Sequence, residues 1–299
     1  MRLLKTLLIL TLSLTSLMTS AKTYHVYFLG GQSNMEGYGY NAELSDDQKA
    51  LSSAVPIFHG RSVFDNQADG GVGLWSLLKP GHGTGFHSDG VTNNYSDRFG
   101  PELTFAQSMA KSSEQNIAII KYATGGTGLS TGVGYGNWDP EFTEGDGQNQ
   151  YDYALTAIKT ALTATDIDGD GVPDTLIPAG IVWMQGEADA HHSVAAADAY
   201  GEKLTTLMKL IRQALGDETI PVVLGKINRR PDQGAEPEMP YMQTVIKAQK
   251  LFAMNDVCAR YVTETENYTL TDDRWHYDSA AYIQMGQAFA KAMLNLKAC

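Results

Sequence analysis

The chain has 299 residues with 34 Asp and Glu against 22 Lys and Arg, a formal net charge of -12. That balance argues against nucleic acid or an anionic membrane surface as a partner and suits a neutral or weakly charged small substrate. Two cysteines, Cys258 and Cys299, are too few for a disulfide scaffold, leaving one bridge or two thiols as the alternatives.

The first element in chain order is a leader. Basic residues at Arg2 and Lys5 precede an uncharged, largely apolar run over residues 6–18, followed by the small residues Thr19-Ser20-Ala21. The run is shorter than the ~20 residues a bilayer span needs, so residues 1–21 read as a secretory signal peptide and 22–299 as a single exported domain, secreted or periplasmic. Residues 24–29 (Tyr-His-Val-Tyr-Phe-Leu) form a dense β-branched and aromatic run that ends in Gly30-Gly31, as a buried strand entering a tight turn does. The runs at 117–121, 179–184 and 220–224 repeat that form. Helical periodicity fills 102–111, 151–163, 195–215, 240–254 and 280–296. This alternation predicts an α/β fold, a three-layer α/β/α sandwich around a central parallel sheet, with the functional site at the carboxyl ends of its strands.

The unusual polar motifs follow those strands. Gly30-Gly31-Gln32-Ser33-Asn34-Met35 comes after the first, Ala123-Thr124-Gly125-Gly126-Thr127 after the second and Gln185-Gly186-Glu187 after the third. A serine hydroxyl becomes a nucleophile only when a base takes its proton and a third group orients that base. Ser33 has the exposure of a Gly-flanked turn, although serines in such turns are commonly helix caps. Asp273 lies three residues before His276, so one turn can join carboxylate and imidazole. The Ser33 turn, Gly126 and the Gln185 amide can supply donors to an oxyanion.

Five blocks in order carry a resemblance: Gly31-Gln32-Ser33-Asn34-Met35, Gly100-Pro101-Glu102-Leu103, Gly125-Gly126-Thr127, Trp183-Met184-Gln185-Gly186-Glu187-Ala188-Asp189 and Asp273-Arg274-Trp275-His276. Together, from about residue 24 to 296, they resemble the sialate O-acetylesterase and carbohydrate esterase family six branch of the SGNH hydrolases. The resemblance implies a serine esterase that removes acetyl groups from carbohydrate without a cofactor. It implies Ser33 as nucleophile, His276 as base, Asp273 as orienting acid, and Gly126 and Gln185 as oxyanion donors. Glu187 competes with Asp273 for the orienting role or holds the site together. The rivals are a lipase or thioesterase on the same scaffold and a non-catalytic carbohydrate-binding protein.

Outside those blocks, Asp166, Asp168, Asp170 and Asp174 occupy positions one, three, five and nine of a loop with Gly171 at six, the spacing of a calcium loop. Ile177 stands where an EF-hand has its bidentate Glu, so the expectation is a structural Ca²⁺ completed by an outside ligand, against a solvated acidic turn. The long polar segment 60–95 is a candidate binding loop, with Trp75 or Trp138 as a sugar-stacking face or a buried anchor. His191 and His192 fit either the pocket rim or a solvated helix start.

Overall fold

The computed structural model describes residues 20–50, 55–229 and 238–296. The leader up to residue 19 and Cys299, hence the pairing of Cys258 with Cys299, lie outside the described residues. Seven strands form one sheet: β1 Thr23–Gly31, β2 Pro56–His59, β3 Trp75–Leu77, β4 Asn116–Ala123, β5 Thr175–Met184, β6 Val222–Gly225 and β7 Ala259–Val262. Their order is β7-β6-β5-β1-β4-β2-β3, and every neighbouring pair is parallel except β2 with β3. The expected parallel sheet is thus a mixed one. Trp75–Leu77 returns antiparallel at the edge, where a three-residue strand needs no crossover helix.

The helices are α1 Ser33–Glu36, α2 Glu102–Ser112, α3 Gln150–Thr163, α4 Glu187–His192, α5 Val194–Leu215, α6 Met242–Asn255 and α7 Ser279–Asn295, beside a short turn of helix at Asp46–Ala50. α2 packs against α7 as one outer layer; α3, α5 and α6 form the other. The central strands are apolar on both faces because both are covered: Val26, Phe28, Leu29, Ile119, Ile120 and Val182 are all fully buried. In α5, Leu204, Leu207, Met208, Ile211 and Leu215 turn one buried stripe toward that core.

The register fixes where the motifs emerge. Gly31 stands opposite Ala123 on β4 and Met184 on β5, so the three strands end at one level. The chain leaves β1 toward β2, later fills β4, and crosses to β5 on the other side, which makes the end of β1 a topological switch point. Gly31 is obligatory there: its φ is 146°, and a Cβ would sit 2.0 Å from the Met184 carbonyl oxygen. A buried ammonium secures the same rim. Lys121 Nζ donates to the carbonyls of Glu36 (2.8 Å) and His82 (2.7 Å) and to Glu102 Oε2 (2.7 Å), whose Oε1 accepts from Gly100 N–H. Hydrogen bonding on all three protons is what makes a wholly buried charge tolerable.

Candidate active site

A cavity of about 970 Å³ opens over the ends of β1 and β4. Gln32, Ser33, Glu36 and Tyr38 enter it from the β1 turn, Thr124, Gly125 and Gly126 from the β4 turn, and Trp275 and His276 from the loop before α7. Arg61, Ser62, Val63, Phe64, Gln67, Thr84 and His87 complete one wall. The candidate binding loop therefore does face the site. The two tryptophans do not serve it: Trp138 is fully buried, and the half-buried Trp75 lies edge-on to Phe58 with its indole N–H on the Ala161 carbonyl at 3.1 Å.

Ser33 is the first residue of α1, so its N–H has no acceptor one turn back. The β4 turn lies against it, since a Cβ on Gly125 would stand 3.4 Å from Ser33 Cβ. Glu36 Oε2 accepts the Gly125 N–H at 2.9 Å and ties α1 to that turn. Burial pushes the Glu36 carboxyl up, against the Thr84 hydroxyl, the Lys121 charge and the Gly125 N–H. Gly126 adopts φ 69°, a left-handed conformation, with its carbonyl accepting from Tyr135 N–H at 2.9 Å. Its own N–H has no protein acceptor among the described residues.

His276 Nδ1 lies 2.7 Å from Asp273 Oδ2, and Asp273 Oδ1 accepts the N–H groups of Trp275 (2.8 Å) and His276 (2.9 Å). Burial acts to raise the Asp273 carboxyl, but the bonds from His276, Trp275 and Thr271 outweigh it and hold it at about 2. Tyr38 stacks flat on the imidazole, centroids 3.7 Å apart. Asp278 caps α7 through the Ala281 N–H at 2.8 Å, which fixes the chain two residues past His276.

Asp273, not Glu187, contacts the imidazole. Glu187 is buried, and its Oε1 accepts from Asn34 Nδ2 at 2.7 Å. The same nitrogen donates to the Trp275 carbonyl (3.0 Å), while Asn34 Oδ1 accepts from Tyr282 (2.8 Å). Glu187 thus joins α1 to the loop before α7 through Asn34. Burial raises the Glu187 carboxyl above its ordinary range, against the Asn34 bond.

Gln185 requires a correction. It is fully buried, does not line the cavity, and its Nε2 donates to Thr127 O (3.0 Å) and Asp189 Oδ2 (2.6 Å). With both amide protons engaged, it supports the β4 turn from beneath and has none for an oxyanion. Its partner Asp189 also accepts the Leu129 N–H at 3.0 Å, yet burial outweighs both bonds and holds the carboxyl up to about 7. An unfolded Asp loses its proton near 3.9, so the stability from the neutral Asp189 is full below about pH 4 and is lost as pH rises through 7. Asp189→Asn should flatten that fall, read as urea midpoints at about pH 5 and pH 8 that differ less than in wild type. An unchanged difference would show the carboxyl already ionised across that range.

His191 and His192 reach the cavity from α4 and are exposed. In the acidic loop, Asp166, Asp168 and Asp174 bring carboxylate oxygens within 4.8 Å of one another. Asp170 is not part of that group; Lys22 Nζ pairs with Asp168 and, at 2.7 Å, with Asp170. Their bonds to the Lys22 ammonium come first among the causes that lower both carboxyls. Among the described residues, no helix is long and apolar enough to cross a membrane.

A family model described as "Carbohydrate esterase, sialic acid-specific acetylesterase" matches residues 23–295. No curated protein matches the chain. Among solved structures, it is similar to a protein from Arabidopsis thaliana at 20% identity and TM-score 0.63, over 92% of this chain and 100% of that one. A carbohydrate acetylesterase from Xanthomonas citri aligns at 18% identity and TM-score 0.62, over 91% of this chain and 56% of its own. NanS aligns at 15% and 0.55, over 93% and 98%. At these identities the structures speak for the fold.

Proposed function

The chain belongs to the sialic acid-specific acetylesterase family of carbohydrate esterases, and on that footing we propose that it hydrolyses acetyl esters on saccharides through Ser33, His276 and Asp273. The observation that carries this reading is the meeting in one cavity of Ser33, the Gly126 turn and an imidazole held by an ionised carboxylate. His276 takes the Ser33 proton as Oγ attacks the acetyl carbonyl carbon. The negative charge that develops on the carbonyl oxygen is met by the Ser33 and Gly126 N–H groups. The C–O bond to the sugar then breaks as His276 returns the proton to the leaving hydroxyl. Water, deprotonated by His276, attacks the acetyl-enzyme and releases acetate and free Ser33. No cofactor enters any step.

Arg61, Ser62, Gln67, Thr84 and His87 offer hydrogen-bonding groups for a sugar beside the apolar Val63 and Phe64 of the same wall. The test is acetate release from acetylated xylan, pectin and sialic acids beside p-nitrophenyl esters of increasing chain length. Release from a saccharide, with activity falling as the ester lengthens, supports the reading. Turnover of long-chain esters alone would assign a lipase, and no turnover a binding protein.

Export through the leader ending near Ala21 belongs to the same proposal, checked by the N-terminal sequence of the secreted protein. So does a structural Ca²⁺ at Asp166, Asp168 and Asp174, whose converging oxygens are hard ligands. Millimolar calcium should raise the melting temperature relative to EDTA by about 2–4 °C in wild type and not in Asp174→Ala. Equal melting temperatures in calcium and EDTA would leave the Lys22 ammonium as that loop's only cation.

A further inference from the structure

Among the described residues, three large aromatic side chains are exposed: Tyr40, Phe64 and Tyr135. Tyr40 is covered by the Arg98 guanidinium, 3.5 Å above its ring. Phe64 and Tyr135, 59% and 79% exposed, have no ring or cation over them among the described residues, and both line the cavity of Ser33 and His276. We propose that these two rings form a stacking subsite at the cavity mouth for a sugar unit beside the one that carries the acetyl group, which makes the substrate an oligo- or polysaccharide chain. The inference rests on the acetylesterase reading above.

Both rings stand on backbone that is held in place. Phe64 lies between Val63, whose carbonyl accepts from Gln150 Nε2 at 3.0 Å, and Asp65, whose Oδ1 accepts from the same nitrogen at 2.7 Å. Tyr135 N–H donates to Gly126 O at 2.9 Å, and its ring lies against that turn, since a Cβ on Gly126 would meet Tyr135 Cδ2 at 2.5 Å. Asp65 Oδ2 then joins the two loops by accepting the N–H (3.0 Å) and Nδ2 (2.8 Å) of Asn137. Two aromatic side chains on cross-tied loops lose little further freedom when a ligand settles on them. They offer the sugar-facing surface that the buried Trp138 and the inward Trp75 do not.

The chemistry around the rings selects the occupant. A pyranose can lay its C–H face on an aromatic ring while its hydroxyl edge stays free, and Arg61, Gln67 and His87 on the same wall offer partners for those hydroxyls. An acyl chain has no polar edge and is best held in an enclosed apolar channel, which rings this exposed do not make. At about 970 Å³ the cavity is also near the top of the ~300–1,000 Å³ range of ligand pockets, so the acetylated unit alone leaves it part empty.

The test compares acetylated monomers and tetramers of xylose, galacturonic acid and N-acetylneuraminic acid by acetate release. In at least one series the wild-type KM should fall by about tenfold or more from monomer to tetramer. Phe64→Ala and Tyr135→Ala should each raise KM for that tetramer by about 3–10-fold with kcat within about threefold, and the double variant should abolish the tetramer's advantage. Tyr135→Phe, which keeps the ring face, should retain it. Melting temperature checks that each variant is folded. Equal KM for monomer and tetramer in every series, or an advantage that survives in the folded double variant, overturns the subsite while acetate release still supports the esterase. A double variant that loses p-nitrophenyl octanoate turnover and keeps the tetramer advantage also overturns it, by assigning the rings to an acyl chain. Absence of acetate release from every saccharide would instead overturn the acetylesterase reading itself.

Discussion

Ser33→Ala is expected to lower kcat for acetate release by about 10⁴-fold or more, with substrate affinity and melting temperature close to wild type. The Ser33 hydroxyl has no hydrogen-bond partner among the described residues, so alanine removes the proposed nucleophile and leaves the α1 turn intact. The Ser33 and Gly126 N–H groups survive the change, and the residual activity measures what they contribute alone. Ser62 is the rival hydroxyl in the cavity. Its Oγ donates to Thr124 Oγ1 at 2.9 Å, away from any imidazole, so Ser62→Ala should keep kcat within a few-fold of wild type. A Ser33→Ala enzyme retaining more than about one tenth of wild-type turnover would move the nucleophile elsewhere.

What the sequence disclosed depended on how far apart the interacting residues lie. β1, β4 and β5 were legible because each is covered on both faces and must be a continuous apolar run. β2, β3 and β7 went unseen at three or four residues each, too short to establish a period. Asp273 and His276 were legible because three residues close the pair within one turn. The setting of Gln185 was not. Its amide is held away from the cavity by the Thr127 carbonyl, 58 residues away, and by Asp189. Glu187 and Asn34 meet across 153 residues, so only the fold could separate a residue that orients the base from one that joins the loops. Tyr38 gave no signal either, because an aromatic becomes a lid on a histidine only through the path of the chain.

That separation makes Asp273→Asn the second large effect. Asparagine can keep an oxygen on the N–H groups of Trp275 and His276, and so retain the turn. It then presents an NH₂ to Nδ1, which favours the tautomer whose Nε2 already carries a proton and is unable to take one from Ser33. kcat should fall by about 10³–10⁴-fold at constant KM. The effect on stability has a sign as well. A carboxyl held at about 2, against an unfolded value near 3.9, contributes stability that is present above about pH 4 and is lost as pH falls toward 2. Asp273→Asn should therefore melt slightly below wild type at neutral pH, and the gap should close on acidification. It should be small, because the Asp273 side chain is 48% exposed and solvent screens the pair. Glu187→Gln is the matched control. It keeps an oxygen for Asn34 Nδ2 and leaves the imidazole's partner in place, so its kcat should fall far less than that of Asp273→Asn. The reverse ranking, with Glu187→Gln nearly inactive and Asp273→Asn within about tenfold of wild type, would transfer the orienting role to Glu187 and require the loop before α7 to move when substrate binds.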